Sequence, residues 1–249
     1  MIICLLSDSL SLPRKLEQVN LKYRETYPYL TNEILKEKVA DCDFDFIPLG
    51  NRGRTIYLTN KQLTSEVFNY DPDIVVLQVG IVDCAPRVFS RWEQIIIRKL
   101  GPLNKPIVDY AHSHRRRIIT IMPPKVYVKY EKFVLIANKL RSSILDHAKV
   151  LLVINIAPTI PDTTYRSPGL EQNINQYNQV LASICDGTRV RLVDIHSEIK
   201  QKGVDRMILE DGIHLSKSGN ELLADKLSEE LLNTISWLEE EGMLGKSVH

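Results

Sequence analysis

The chain alternates short, β-branched apolar runs with longer stretches in which apolar residues recur at helical intervals. Residues 2–6, 43–48, 73–79, 150–156 and 191–195 are runs of the first kind, and a weaker one spans 117–122. Apolar strands interleaved with amphipathic segments are the pattern of a parallel sheet covered by helices on both faces, so the expected fold class is α/β. Between 60 and 70, Leu63, Val67 and Tyr70 fall at i, i+4 and i+7 and predict a helix, which Asp71-Pro72-Asp73 ends. Near the end, Ser218-Gly219-Asn220-Glu221 has capping-box order and precedes Leu223, Leu227 and Leu231, predicting that a long helix starts there. The Pro-rich stretches 101–106 and 158–168 read as loops. The second follows a strand, and ligands of open α/β sheets sit at the carboxyl ends of strands. No repeat, linker or shift in composition divides the chain, so residues 1–249 read as one domain.

Composition narrows the function classes. The 32 Lys+Arg against 31 Asp+Glu leave a formal charge of +1, with no long-range attraction to phosphate backbones or anionic lipid. Nucleic acid is therefore not an expected partner unless a local patch binds it. Cys4, Cys42, Cys84 and Cys185 form no C-x-x-C pair and read as reduced thiols, not as a zinc site or a disulfide framework. The first residues lack a basic lead-in and soon meet Asp8, unlike a secretion signal. Residues 150–157 are far short of the roughly 20 apolar residues a bilayer span needs. A cytoplasmic protein without a membrane span is expected, and its oligomeric state is not legible.

Four short motifs lie at or just beyond the predicted strand ends. Ser7-Asp8-Ser9-Leu10 follows the first strand and precedes Pro13, a residue suited to the first turn of a helix. Ser9 would then stand where free backbone N–H groups and a helix dipole stabilise a developing oxyanion. Gly50-Asn51-Arg52-Gly53-Arg54-Thr55 follows the second strand and Gly80-Ile81-Val82-Asp83 the third. Asp211-Gly212-Ile213-His214 precedes the terminal helix, at a spacing that lets the acid fix one ring nitrogen of His214 while the other takes a proton from Ser9.

In the order and position of these blocks the chain resembles the SGNH/GDSL hydrolase family. The resemblance implies a flavodoxin-like three-layer α/β/α sandwich with Ser9 as nucleophile, His214 as general base and Asp211 as its partner. It also implies an oxyanion hole containing the Ser9 and Gly53 amides, no cofactor and no metal. Family members hydrolyse esters and thioesters, many of them removing acetyl groups from sugars, and the stand-alone form of this chain looks similar to members associated with bacterial surface polysaccharides. Two departures stand out: the family's opening Gly is Ser7, and the Asn that lends a side-chain N–H to the oxyanion is Val82. Asn51, Asn155 and Arg87 are candidate substitutes, and Asp8, Asn51 and Arg87 are candidate substrate contacts.

Plainer accounts accompany each motif. Ser9 alone would pass as a helix cap, and only the company of Asp211 and His214 makes it a nucleophile. His196 competes as base, or forms a structural pair with Asp194 on a shared strand face. His112-Ser113-His114, followed by three arginines, reads as a basic helix end in preference to a metal site. Asp41-Cys42-Asp43-Phe44-Asp45 reads as part of an edge strand. Arg87 would either bind an acidic sugar or phosphate or form a surface salt bridge. The function expected is ester hydrolysis on a carbohydrate through an acyl-enzyme. The alternatives are acyl transfer to a sugar at the same site and a degenerate carbohydrate-binding member, the latter suggested by Val82.

Overall fold

The computed structural model describes residues 1–17, 19–39, 43–123 and 125–243. In chain order the strands are β1 (Ile2–Ser7), β2 (Arg14–Lys15), β3 (Asn20–Leu21), β4 (Asp45–Gly50), β5 (Ile74–Gln78), β6 (Val150–Ile154) and β7 (Val190–Val193). The helices are α1 (Tyr27–Lys38), α2 (Ile56–Glu66), α3 (Ile81–Cys84), α4 (Arg91–Lys99), α5 (Asn104–Ser113), α6 (Arg115–Ile121), α7 (Tyr130–Leu145), α8 (Pro161–Arg166), α9 (Leu170–Ser183), α10 (Ile195–Lys202), α11 (Val204–Met207) and α12 (Lys217–Glu240).

Five parallel strands form the central sheet in the order β4-β1-β5-β6-β7. This is the flavodoxin-like order, with its topological switch between β1 and β5, the place where ligands of such sheets bind. The expected α/β sandwich is the fold observed. The inner strands β5 and β6 are apolar and buried along their whole length because helices cover both faces. Helices α1 and α12 pack together on one face, and α2, α7 and α9 on the other. Strand β4 is an edge, as the alternation around Phe44 and Phe46 predicts, and an edge tolerates Pro48. Asp41 and Cys42 lie outside the described residues. Cys4 and Cys84 are buried free thiols and Cys185 is half-buried. Among the described residues no helix is long and apolar enough to cross a membrane.

Several boundaries differ from the expectation. The 117–122 segment is helical, not a strand: Ile118 N–H donates to the His114 carbonyl, and β5 pairs directly with β1 and β6, with no strand from this segment between them. Its run of Ile expresses β propensity that the tertiary setting overrides. Pro106 falls inside the first turn of α5, where a missing N–H costs nothing, so 101–106 is not simply a loop. Residues 158–168 likewise contain α8. The helix expected from 60 begins at Ile56, capped by the Thr55 hydroxyl, and ends at Glu66. Helix α12 starts at Lys217 because Ser216, not Ser218, caps it. Asn220 has another duty: its carbonyl accepts from Tyr27 N–H, and its amide donates to the carbonyls of Leu215 and Ser216. That side chain ties α12 to the start of α1 and fixes the strand-like segment that follows His214.

Candidate active site

Strand β1 delivers the chain into a three-residue turn, Ser9–Ser11, whose cap is Asp8. The Asp8 carboxylate accepts from Leu10 N–H at 2.9 Å, Ser11 Oγ donates to the Asp8 carbonyl, and Ser7 Oγ donates to Ser11 Oγ at 2.6 Å. Ser7 thus braces the turn from beneath. The helix expected after Pro13 does not form; Arg14–Lys15 instead pairs with Asn20–Leu21. No long helix dipole points at Ser9, and the turn's own N–H groups are what remain. Asp8 is fully buried, so the substrate contact expected of it is withdrawn: its carboxylate is turned inward to hold the turn.

The residues of the last motif converge on that turn from the far end of the chain. Ser9 Oγ lies 2.9 Å from His214 Nε2, and His214 Nδ1 lies 2.8 Å from Asp211 Oδ2. Asp211 Oδ1 accepts from the backbone N–H groups of Ile213 and His214, folding the acid back onto the ring as the three-residue spacing suggested. Burial alone would raise the Asp211 pKa, but hydrogen bonds from the His214 ring and backbone outweigh it and hold the carboxyl well below the usual range. With Asp211 anionic, Nδ1 carries the proton and Nε2 is the nitrogen free to accept from Ser9. Arg14, unmarked by any motif, places Nη2 3.2 Å from the same Asp211 Oδ2. A basic residue five positions after Ser9 was the only signal that could have found it.

Neither the Ser9 nor the Gly53 N–H is used by another of the described residues. Gly53 has φ of +74°, a conformation other residues enter only with strain. The three candidate substitutes for the missing side-chain donor separate clearly. Asn155 is committed, donating to Asp194 at 2.7 Å and accepting from His196 N–H. Arg87 donates to the Val82 carbonyl and lies over the Tyr127 ring at 4.5 Å, with no carboxylate partner among the described residues, so the surface salt bridge is also excluded. The Asn51 side chain has no hydrogen-bond partner among the described residues. His196 sits in the first turn of α10, its Nδ1 2.9 Å from the Ile156 carbonyl, while Asp194 caps that helix through Ser197 N–H. The two do not pair.

Beneath the site lies a pair of buried carboxylates. Asp83 accepts from Ile56 N–H through both oxygens, at 3.0 and 3.3 Å, and so joins the Gly80-Asp83 block to the loop that carries Gly53. Burial pushes the Asp83 pKa up to about 8, and the neighbouring Asp8 adds to the rise; burial pushes Asp8 to about 6. An unfolded aspartate ionises near pH 3.9, so from there to about pH 8 the folded state binds the extra proton and raising pH disfavours folding. The expected result is a melting temperature that falls between pH 6 and 9 in the wild type and falls less in Asp83→Asn, which keeps an acceptor for Ile56. Parallel curves from thermal denaturation would contradict it.

The sequence model of the GDSL-like lipase/acylhydrolase family matches residues 17–222. The chain belongs to that family. This GDSL-like protein is therefore an ester hydrolase by class. The match begins after Ser9 and takes in Gly53, Val82, Asp211 and His214. No curated protein sequence is similar enough to count as a relative. Among solved structures, a lipase/acylhydrolase from Enterococcus faecalis superposes with a TM-score of 0.63 at 17% identity, over 92% of this chain and 94% of that one. An acetylxylan esterase from Geobacillus stearothermophilus gives 0.64 at 14% identity, over 92% and 93%. The acetyl xylan esterase AlAXEase gives 0.61 at 21% identity, over 92% and 99%. These likenesses establish a shared fold between the GDSL-like hydrolase and its neighbours.

Proposed function

We propose that this GDSL-like hydrolase, working as one domain, removes a small acyl group, an acetyl above all, from a carbohydrate. The observation that carries the reading is the unbroken chain Ser9–His214–Asp211 at 2.9 and 2.8 Å. Ser9 Oγ attacks the ester carbonyl carbon while His214 Nε2 takes its proton, and the Ser9 and Gly53 N–H groups receive the oxyanion. Collapse expels the sugar hydroxyl, which takes the proton back from His214. Water, deprotonated by the same ring, then attacks the acyl-Ser9 ester and releases the acid.

A small cavity next to the Ser9 turn leaves no room for a long acyl chain. Leu10, next to Ser9, and Ile213, next to His214, line it together with Ile81, Ile156 and Ala157, and its volume is about 10 Å³, room for little more than one water. Thr159 joins it to a cleft of about 450 Å³ bordered by Tyr165, Ile174, His196 and Lys200, a size that admits a sugar ring. Two of the structural neighbours are described as acetylxylan esterases, which agrees with this reading. The test is a series of p-nitrophenyl esters of two to eight carbons, run beside acetylated xylo-oligosaccharides and an organophosphonate probe. Expected are Ser9 labelling, acetate release, and kcat/KM falling about tenfold or more from acetyl to octanoyl, as overfilling a small pocket costs over about 1 kcal/mol. Unlabelled Ser9 would sink the hydrolase reading and favour the degenerate, binding-only member that Val82 suggests.

Asn51 is proposed as the third oxyanion donor because its side-chain amide is free, whereas Asn155 is tied to Asp194 and His196 and the Arg87 guanidinium is held by the Val82 carbonyl and the Tyr127 ring. Asn51→Ala is expected to lower kcat about a hundredfold with little change in KM, the usual cost of one such donor. A kcat within twofold of wild type would remove the assignment.

A further inference from the structure

The near-zero net charge of the chain conceals a strongly polarised insert. Residues 91–121, which form α4, α5 and α6 between β5 and β6, hold seven arginines and lysines against two acids, a local net charge of +5 in a chain of +1. Arg98, Lys99, Lys105 and Arg117 are exposed and have no ion pair among the described residues. The same insert carries eight of the fifteen large hydrophobic side chains that the described residues leave exposed.

The apolar side chains are ordered, and they face outward. On α4 and the turn after it, Trp92, Ile95, Ile96, Leu100 and Leu103 recur at helical spacing, with Trp92 77% and Leu103 70% exposed. The opposite side of α4 is held to the body by polar contacts: Glu93 pairs with Lys125 at 2.8 Å and Gln94 donates to the Tyr127 hydroxyl at 2.7 Å. On α5, Ile107 and Tyr110 are also exposed and line an apolar groove with Phe89, Glu93 and Lys125, and Ile121, 71% exposed, ends α6. An amphipathic helix in a soluble fold ordinarily turns its apolar side to the core; here the order is reversed. An outward apolar stripe containing Trp and Tyr, flanked by unpaired cations, is the build of a helix that lies in a bilayer interface.

From this we infer that the α4–α6 insert docks on an anionic lipid surface, with the Trp92 to Leu103 stripe entering the headgroup region and Arg98, Lys99, Lys105 and Arg117 meeting lipid phosphates. Charge selects this occupant: a two-fold contact with a second copy would bring two +5 patches together, and an uncharged groove would leave the cations unused. Both ends of the insert are stitched beside the Gly80-Asp83 block, through Arg87 N–H to the Lys125 carbonyl and Val128 N–H to the Asp83 carbonyl. The inference stands independently of the hydrolase reading, because its assay reads binding.

The test is co-sedimentation with vesicles of equal parts phosphatidylglycerol and phosphatidylcholine against phosphatidylcholine alone, at low and at 0.5 M salt. Trp92 emission is followed in a Trp237→Phe background, since these are the two tryptophans. Expected are a bound fraction about tenfold higher on anionic vesicles, loss of that excess at high salt, and a blue shift of Trp92. Trp92→Glu with Ile96→Glu, and separately Lys99→Glu with Lys105→Glu, are expected to lower binding about tenfold or more while hydrolysis of a soluble ester is unchanged. Failure of the wild type to sediment with anionic vesicles overturns the inference, as does binding by both double variants equal to wild type. A dimer that the Trp92 and Ile96 changes dissociate, without vesicle binding, overturns it in favour of self-association.

Discussion

Ser9→Ala is expected to lower kcat for p-nitrophenyl acetate by about 10⁴-fold, with His214→Ala falling to a similar floor and the double variant no lower. Non-additivity follows from the geometry: Ser9 Oγ and His214 Nε2, 2.9 Å apart, act as one device, and removing either oxygen or ring disables both. Unchanged melting temperatures in both variants would assign the loss to chemistry and not to folding. Activity within tenfold of wild type in Ser9→Ala would dismantle the proposed mechanism.

Gly219→Ala is expected to destabilise the protein by about 3 kcal/mol, which in a chain of this size lowers the melting temperature by about 6 to 12 °C. Helix propensity points the other way, since alanine in a helix is worth about 1 kcal/mol over glycine. The structure reverses the sign. A Cβ at Gly219 would overlap the Met207 carbonyl oxygen and press on the Leu215 side chain at 3.3 Å. That carbonyl accepts from Ser216 N–H, and the segment between them bends back on itself through Leu209 N–H to the His214 carbonyl. Pushing α12 away thus moves His214 as well, and kcat should fall with stability. A melting temperature equal to or above wild type in a thermal unfolding experiment would show that α12 yields more easily than its contacts imply.

How much of this was legible beforehand depended on the range of the interaction. The buried strands β5 and β6 were plain because a strand covered on both faces is apolar at nearly every position. The Asp211–His214 contact was plain because it spans three residues and the chain has few ways to make it. The sequence of α6 reads as a strand because Ile118, Ile119 and Ile121 have strand propensity, and which state they adopt is settled by neighbours distant in sequence. Likewise nothing local marked Asp8 as turned inward, or Arg14 as meeting the oxygen of Asp211 that faces His214.

Pattern and spacing along the chain were enough for the α/β class, for the order of the four motifs at strand ends, and for the acid–imidazole pair, because each depends on residues close together or on averages over many. The closure of Ser9 onto His214 across 205 residues, the commitment of Asn155 elsewhere, and the outward turn of the apolar stripe on α4 depend on how separately formed elements pack. Packing is a matter of shape and competing partners in three dimensions, which one-dimensional periodicity does not encode.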